Sequence, residues 1–232
     1  IRDRFTDAER DLLTLVQRSR SVADLIDRMP LTDLEVVQTV ESLCDRGFLV
    51  FREREHTIHI VTDSTCDLLP SMTRRRHITV VPLSVLFGNR VFKDGIDIQP
   101  DEFYQKLQAS QVFPSTSPPG KGEFLQTYRR LIATGDILSI HISKKQSLTA
   151  EHAEEAAVEG AGELLKLREE AEGFGSPVVR VVDSRSNSVG LGLLVLFASR
   201  LASKGLSLDE IAARIESIRD RLHFLFIVDT LE

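Results

Sequence analysis

The sequence has few cysteines, no long apolar run and no targeting leader, and each absence excludes a class of protein. Two cysteines among 232 residues, Cys44 and Cys66, do not make a disulfide framework, so we expect a reducing, cytoplasmic environment. Apolar stretches such as 189–196, which is broken by glycines, fall far short of the ~20 residues that a membrane-spanning helix needs. No basic and apolar leader opens the chain, so nothing predicts secretion.

The composition is also poor in the residues of disordered chains. There are only 13 Gly and 8 Pro, 42% of residues are hydrophobic and 28% are charged, as in a globular protein long enough to bury a core. The 29 basic and 35 acidic residues give a net charge of −6, so charge alone does not favour nucleic acid as a partner.

Motifs of the common enzyme classes are missing. The sequence contains no GxxxxGK[ST], GxGxxG, GxSxG, HExxH or CxxC. Asp63, Asp183 and His141 can be drawn with a serine as a hydrolase triad, but His141 lies within a strand pattern, where a structural role is commoner. Asp63 and Asp183 are open to two interpretations, a pair of divalent-ion ligands or carboxylates that cap the next helix. We predict no metal site and no catalytic residues.

Residues 1–55 are predicted to form a winged-helix-like module. Hydrophobic spacing predicts helices over 7–18, 21–27 and 31–46, a stop at Gly47 and a short strand over 48–51. The module carries nine arginines and twelve acids, and its third helix carries four acids against one arginine. Because DNA affinity rests mainly on neutralising phosphates, this charge disfavours DNA and favours a protein partner.

Residues 56–232 are predicted to form an α/β domain, a mostly parallel sheet with crossover helices. The predicted strands are 57–62, 78–87, 136–143, 178–183 and 223–228, and the predicted helices are 67–75, 100–108, 121–133, 149–170, 188–203 and 207–222. Two hydroxyl-rich segments, 115–120 and 143–149, directly precede predicted helices. A helix start offers unpaired N–H groups to an anion, although each hydroxyl could equally cap its own helix.

Seven short motifs follow one another from residue 59 to the end of the chain. They are H-I-V-T-D-S-T at 59–65, V-V-P-L at 80–83, D-G-I-D at 94–97, T-S at 116–117, L-S-I-H-I-S at 138–143 with Ser147 and Thr149, V-D-S at 182–184 and V-D-T-L-E at 228–232. This series resembles the DegV family and covers about residues 57–232. The winged-helix-like module lies outside the resemblance.

DegV-family proteins are fatty-acid-binding α/β proteins, some of which pass the bound acid to a separate fatty acid kinase. The resemblance therefore implies a carrier rather than an enzyme, with a fatty acid as ligand and no other cofactor. It also implies that the hydroxyls of Thr116 and Ser147 hold the carboxylate and that the acyl chain lies in an apolar tunnel. Supporting positions are Ser117, Leu148, Thr149, Asp63 and Ser64. Apolar residues available for the tunnel include Leu83, Val85, Phe87, Phe103, Phe124, Leu191, Leu194 and Phe197.

The sequence departs from the family pattern at three positions near these hydroxyls. Pro118 stands where the family has glutamine, Gln146 where it has leucine, and Leu148 where it has glycine. We expect Leu148 to put a bulky side chain where the backbone approaches the carboxylate, and so to alter head-group fit or chain preference. Residues 229–232 resemble the start of the link to the family's second lobe, and we expect that C-terminal lobe to be absent from this chain.

Two other functions remain open beside the fatty acid carrier, which we favour. One is a transcriptional regulator that senses a lipid and reads DNA with the winged helix, which the acidic third helix disfavours. The other is a phosphoryl-transfer enzyme acting through Asp63 and Asp183, which no spacing in the sequence requires.

Overall fold

A computed structural model describes residues 5–16, 22–49, 57–171, 176–223 and 225 of the chain. In this structure the chain divides into two compact units. The first unit comprises residues 1–55 with 174–176, and the second comprises residues 56–173 with 177–232. Cys44 in the first unit and Cys66 in the second are both free thiols.

The N-terminal unit contains α1 (Asp7–Val16), α2 (Val22–Arg28) and α3 (Asp33–Asp45). Its core is made of apolar side chains from all three helices, namely Leu12, Leu25, Met29, Val36, Val40 and Leu43. A capping box between Thr32 and Glu35 begins α3, which stabilises the helix start by satisfying backbone N–H groups. Gly47 follows α3 at φ +74°, as its predicted role as a breaker requires.

The predicted strand of this unit, 48–51, falls at the edge of the described residues. Residues 48 and 49 are not in a strand, and 50 and 51 lie outside the described part. The described residues of this unit therefore form three helices, and the winged-helix interpretation stays a prediction. The four acids of α3, Asp33, Glu35, Glu41 and Asp45, are all exposed.

The second unit is an α/β fold built on a parallel sheet. Its strands lie in the order β2-β1-β6-β7, with β1 at Thr57–Asp63, β2 at Thr79–Val81, β6 at Gly135–His141 and β7 at Val179–Asp183. All the pairings are parallel, so each strand needs a crossover connection, as the alternation of strands and helices predicts.

Helices cover both faces of this sheet, and the strands are apolar because both faces are buried. One face packs against α9 (Ser188–Ala202) and α10 (Leu208–Arg219). The other packs against α6 (Lys121–Ile132), α7 (Thr149–Glu159) and α8 (Ala161–Glu170). All seven residues of β6 are buried, which makes it the centre of the fold.

The prediction of one strand over 78–87 is wrong, because the segment divides between two sheets. β2 ends at Val81, and β3 (Ser84–Phe87) belongs to a separate antiparallel sheet in the order β4-β3-β5. Pro82 lies between them and has no N–H to continue a ladder. The N–H of the next residue, Leu83, donates instead to Ser64 Oγ at 3.1 Å.

The antiparallel sheet contains two strands that the hydrophobic pattern does not predict. β4 (Arg90–Lys93) forms a hairpin with β3, turning at Gly88, whose φ is +58°. β5 (Ser115–Ser117) pairs with the other edge of β3. Its three residues are polar and exposed, so they give no alternation that could reveal a strand.

The predicted helix over 149–170 is two helices, α7 and α8, which meet at Gly160. A Cβ atom at Gly160 would lie 2.3 Å from Leu125 Cδ1 and 2.8 Å from the Ala156 carbonyl oxygen. Only glycine lets the chain approach α6 this closely, and the helix breaks there. The other helices are α4 (Pro70–Arg75) and α5 (Pro100–Ala109), close to their predicted bounds. The predicted strand over 223–228 lies mostly outside the described residues, and neither 223 nor 225 is in a strand.

Candidate functional site

The strand order places a topological switch point between the carboxyl ends of β1 and β6, where open parallel sheets have their ligand crevice. These two strands are neighbours, while the strands that follow them, β2 and β7, lie on opposite sides. Ligands of open parallel sheets bind at such a switch point, because the loops leave it in opposite directions. The turn that begins at Asp63 and the loop over 143–149 flank this crevice.

Asp63 is fully buried at the end of β1, and its carboxylate is used within the protein. It accepts hydrogen bonds from the Thr65 N–H at 3.1 Å, the Ile142 N–H at 3.0 Å and His141 Nδ1 at 3.0 Å. Burial alone would raise the pKa of Asp63, but the bond and charge of His141, with the bonds from Thr65 and Ile142, lower it below its ordinary value. The carboxylate therefore serves as an acceptor for three groups of the protein itself.

The predicted supporting residue Ser64 and the alternative Asp183 are also engaged. Ser64 Oγ accepts the Leu83 N–H. Asp183 Oδ1 accepts the N–H groups of Lys144 at 3.2 Å and Arg185 at 2.9 Å. Asp63 caps the short 3₁₀ helix Ser64–Cys66, as one of the two interpretations of these carboxylates expected. Asp183 does not cap α9, whose cap residue is Asn187. Among the described residues no group of three or more His, Cys, Asp or Glu is arranged to hold a metal ion.

Ser147 lies at the start of α7, as predicted. Its Oγ is 2.8 Å from Thr149 Oγ1 and accepts the Thr149 N–H at 3.3 Å. Ser147 is half-buried, whereas Thr149 is fully buried. The cap residue Leu148 makes no side-chain cap, and apart from the Thr149 N–H, which Ser147 accepts, the N–H groups of the first turn of α7 are available to an anion.

Leu148, the bulky residue expected near the carboxylate, lies at the start of α7 in an ordinary backbone conformation. Its φ is −77° and ψ is 3°, a conformation that any residue adopts. Its side chain is 55% exposed. The leucine therefore leaves the backbone at the start of α7 unstrained. Gln146 is likewise exposed, and Pro118 is half-buried.

Thr116 lies in a strand and not at a helix start, which corrects one expectation. It is the middle residue of β5, and the cap residue of α6 is Gly120, where Glu123 Oε2 accepts the Gly120 N–H at 3.0 Å. The extended segment that ends in Pro118 and Pro119 delays the helix, because two prolines remove N–H groups that a helix interior needs. Thr116 and Ser117 are exposed.

One hydrogen bond that sequence analysis missed joins the two hydroxyl-bearing segments. His152 Nδ1 donates to the Pro119 carbonyl oxygen at 2.8 Å. Pro119 lies three positions after Thr116, and His152 lies one helical turn beyond Thr149. The bond therefore holds the Thr116 segment beside the first turns of α7. No motif includes His152, and only the fold brings it to Pro119.

Thr116 shares a face of its sheet with apolar residues. Val85 is the cross-strand partner of both Thr116 and Phe92, and cross-strand partners project to the same side. Phe87 lies on that side too, and its ring centroid is 6.3 Å from Phe92 and 5.7 Å from Phe103 of α5. We call Val85, Phe87, Phe92 and Phe103 the aromatic face.

The other apolar residues named for a tunnel fall into two groups. Phe124, Leu191 and Leu194 are at most 1% exposed and belong to the two cores that flank the parallel sheet. Phe197 is a partly buried residue packed against one of those cores, and Leu83 is 8% exposed. Burial in the ordinary core explains the first group without a ligand.

Comparison with known proteins follows the same division of the chain. The sequence model of a family described as "Uncharacterised protein, DegV family" matches residues 57–232. A DegV domain-containing protein from Deinococcus radiodurans is 36% identical over 177 residues, which are 76% of this chain and 58% of that protein. One from Clostridium perfringens is 30% identical over 176 residues, 75% of this chain and 58% of that protein.

Solved structures of DegV-family proteins share this fold. A fatty-acid-binding DegV-family protein from Thermus thermophilus has a TM-score of 0.61 and 36% identity, over 71% of this chain and 54% of that one. A stearic-acid-binding protein from Eubacterium ventriosum has a TM-score of 0.59 and 28% identity, over 68% and 52%. DegV from Bacillus subtilis, a fatty-acid-binding protein, has a TM-score of 0.60 and 25% identity, over 71% and 54%.

All these matches cover a similar fraction of the related proteins. The chain spans a little over half the length of the relatives and of the solved structures. Within the part of the chain that the structure describes, no helix has both the length and the apolar character to cross a membrane. The match over residues 57–232 shows that this chain belongs to the DegV family.

Proposed function

We propose that residues 57–232 bind a long-chain fatty acid and that Thr116, Ser147 and the first turn of α7 hold its carboxylate. We call these three elements the head-group site. The observation that carries the proposal is the His152–Pro119 hydrogen bond of 2.8 Å, which keeps the Thr116 segment beside the open start of α7. The fatty-acid binding of the solved relatives supports the same ligand.

The chemistry of the head-group site suits a carboxylate. A carboxylate that leaves water needs charge-assisted hydrogen bonds, which hydroxyls and helix N–H groups donate. Ser147 directly precedes such N–H groups, the His152–Pro119 bond ties the Thr116 segment to the same helix, and the helix dipole of α7 adds a favourable interaction. A neutral head group would gain less from the same donors.

The aromatic face offers the acyl chain a surface that begins at Thr116. Each methylene removed from water contributes about 0.8 kcal/mol, so a chain of 14–18 carbons derives most of its affinity from its tail. Val85 lies opposite Thr116 but is already covered by protein, at 6% exposure, whereas Phe87, Phe92 and Phe103 are half-buried. The tail would therefore run from Thr116 along the rings of Phe92, Phe87 and Phe103.

The proposed role is that of a carrier. The protein would present the bound acid to a partner fatty acid kinase in the cytosol, without a cofactor of its own. Two free cysteines fit a reducing compartment. No observation in the described residues favours the regulator or the phosphoryl-transfer alternative.

Native mass spectrometry of the protein purified from cells, followed by extraction of bound lipid, tests the ligand. We would compare this chain with a form extended past Glu232 and expect one C14–C18 acid per protein on at least one of them. Ser147→Ala and Thr116→Val should each lower affinity about tenfold, since each removes a bond to a charged group. Ser117→Ala is the matched control, because Ser117 opposite Ser84 lies on the other side of β5. Absence of lipid from both forms, or binding that both variants leave unchanged, would contradict the proposal.

A further inference from the structure

A chain of four hydrogen-bonded side chains is buried beneath the crevice. Tyr128 OH of α6 lies 3.0 Å from Ser139 Oγ, Ser139 Oγ lies 2.6 Å from His141 Nε2, and His141 Nδ1 lies 3.0 Å from Asp63 Oδ2. All four residues have 0% exposure. The position of His141 within a strand pattern indicated a structural role and did not connect this residue with the candidate site.

The order Asp63–His141–Ser139 is that of a hydrolase triad, but its surroundings exclude that chemistry. Ser139 lies within β6, fully buried, and its oxygen accepts the Tyr128 hydroxyl. No substrate atom reaches a nucleophile in that position. Tyr128 donates to Ser139 Oγ, a hydrogen bond joins Ser139 Oγ to His141 Nε2, and His141 Nδ1 donates to the carboxylate of Asp63, where the chain ends.

Asp63 joins the two strand ends that flank the crevice. Its Oδ1 accepts the N–H and the hydroxyl of Thr65, at 3.1 and 2.5 Å, in the turn after β1. Its Oδ2 accepts the N–H of Ile142, which follows the last residue of β6. One buried carboxylate therefore fixes where the chain leaves β6 relative to β1.

The loop that carries Ser147 begins at that point. After Ile142, the N–H of Ser143 donates to the Ser186 carbonyl at 2.9 Å and the N–H of Lys144 donates to Asp183. The N–H of Ser147 then donates to the Ser143 carbonyl at 3.1 Å. Because these donors follow one another along the chain directly after Ile142, the Ile142–Asp63 bond is the first of the bonds that place the segment.

We propose that Asp63 and His141 are positioning residues for the head-group site: their buried bond fixes the 142–149 segment so that Ser147 and α7 meet the carboxylate. The effect on ligand binding rests on the proposed function, whereas the effect on the loop does not. Neither side chain touches the ligand. His141 holds the Asp63 carboxylate in the orientation that accepts the Ile142 N–H.

Three variants test this role. His141→Leu removes the donor to Asp63, and His141→Asn restores a donor near the position of Nδ1. Tyr128→Phe is the control, because it removes a hydroxyl at the far end of the same buried chain and leaves Asp63 and His141 bonded. Hydrogen exchange would be followed in segment 142–149 and in α10, and affinities would be measured for palmitic acid and for hexadecanol.

His141→Leu should speed exchange in segment 142–149 and not in α10. It should also lower the affinity for palmitic acid about tenfold relative to that for hexadecanol, because only the acid needs the placed donors. His141→Asn should restore both properties, and Tyr128→Phe should match the wild type. If His141→Leu does not fold, Ser139→Ala provides the test, since it deprives the His141 ring of its second partner. We expect this variant to raise the hydrogen-exchange rate of segment 142–149 by a smaller amount.

Unchanged exchange in segment 142–149, or acid and alcohol affinities that fall together, would overturn the proposal. A wild-type protein that binds neither ligand would contradict the proposed function instead. In that case the exchange measurement alone would still decide whether Asp63 and His141 position the loop.

Discussion

The carboxylate of Asp63 illustrates how a single residue can serve a site without facing its ligand. Its acceptor positions are taken by donors from two strand ends, and the donors stabilise its charged form. Protonating or neutralising it leaves buried N–H groups without an acceptor, which costs free energy.

We expect the lowered pKa of Asp63 to make stability depend on acid pH. A carboxyl whose pKa is lower in the folded than in the unfolded state contributes stability above its unfolded value of about 4, and the contribution is lost as pH falls through the folded value. Asp63→Asn should therefore lower the free energy of unfolding at pH 7 by about 3 kcal/mol. Urea unfolding at pH 7, 5, 4 and 3 would measure this difference, which should narrow below pH 4.

A matched control separates the contribution of the Asp63 carboxylate to stability from the general effect of acid on the protein. Glu163 is an exposed carboxylate paired with Arg129 at 2.6 Å, with a side chain 45% exposed. Glu163→Gln should change stability by less than about 1 kcal/mol at any of these pH values. A gap between wild type and Asp63→Asn that stays constant down to pH 3 would contradict a lowered pKa for Asp63.

Asp63 and Ser147 could be identified from the sequence as candidate site residues. The hydrogen bonds that the Asp63 carboxylate accepts could not be predicted. The polar ends of strands show in the pattern, because a buried apolar run stops where a loop begins. The contact between Asp63 and His141 joins residues 78 positions apart, and only the pairing of β1 with β6 creates it. For the same reason His152 was missed, since its partner Pro119 lies 33 positions earlier.

At the scale of elements, predictions succeeded where hydrophobic periodicity is strong and failed where a local rule interrupts it. β1, β6, β7 and the helices on both faces of the sheet lie within a few residues of their predicted bounds. The predicted strand over 78–87 is interrupted at Pro82, which has no N–H for the sheet, and the predicted helix over 149–170 is interrupted at Gly160, where the chain approaches α6 closely. Neither interruption shows in the hydrophobic periodicity. β5 carried no apolar signal, so the strand position of Thr116 was hidden.

The contact between α7 and the segment after β5 leads to a prediction about this pair of elements. His152→Leu removes the donor to Pro119, so the Thr116 segment should lose its fixed position beside α7. We expect palmitic acid affinity to fall about fivefold to tenfold, with stability changed by about 1 kcal/mol. Isothermal titration calorimetry would measure the affinity, and thermal unfolding the stability.

Lys121 provides the control for His152. It also links the start of α6 to α7, through Glu159 at 2.8 Å, but the pair is exposed. Lys121→Ala should leave both affinity and stability nearly unchanged, since exposed ion pairs contribute little. Equal losses in the two variants would mean that general docking of α6 on α7, and not the Pro119 bond, sets the affinity.

The whole molecule combines a lobe of known family with a unit that the family match does not cover. The match begins at residue 57, and residues 1–55 carry nine arginines and twelve acids, a net charge of −3. The four acids of α3 are exposed, on the helix that would enter the groove in a winged helix. A duplex presents its phosphates to that surface, so the unit would meet repulsion where DNA-binding proteins have attraction.

We therefore expect the chain not to bind DNA. Fluorescence anisotropy with a labelled 25-base-pair duplex at 150 mM salt should give a Kd weaker than about 10⁻⁴ M, the weak end of non-specific binding. Glu41→Lys with Asp45→Lys changes the unit's charge by +4, from −3 to +1, and leaves the Thr32–Glu35 capping box intact. If charge alone prevents binding, this double variant should gain a weak, salt-dependent affinity. Micromolar binding by the unmodified chain that weakens steeply with salt would show that the unit reads DNA despite its charge, and would favour the lipid-sensing regulator over the carrier.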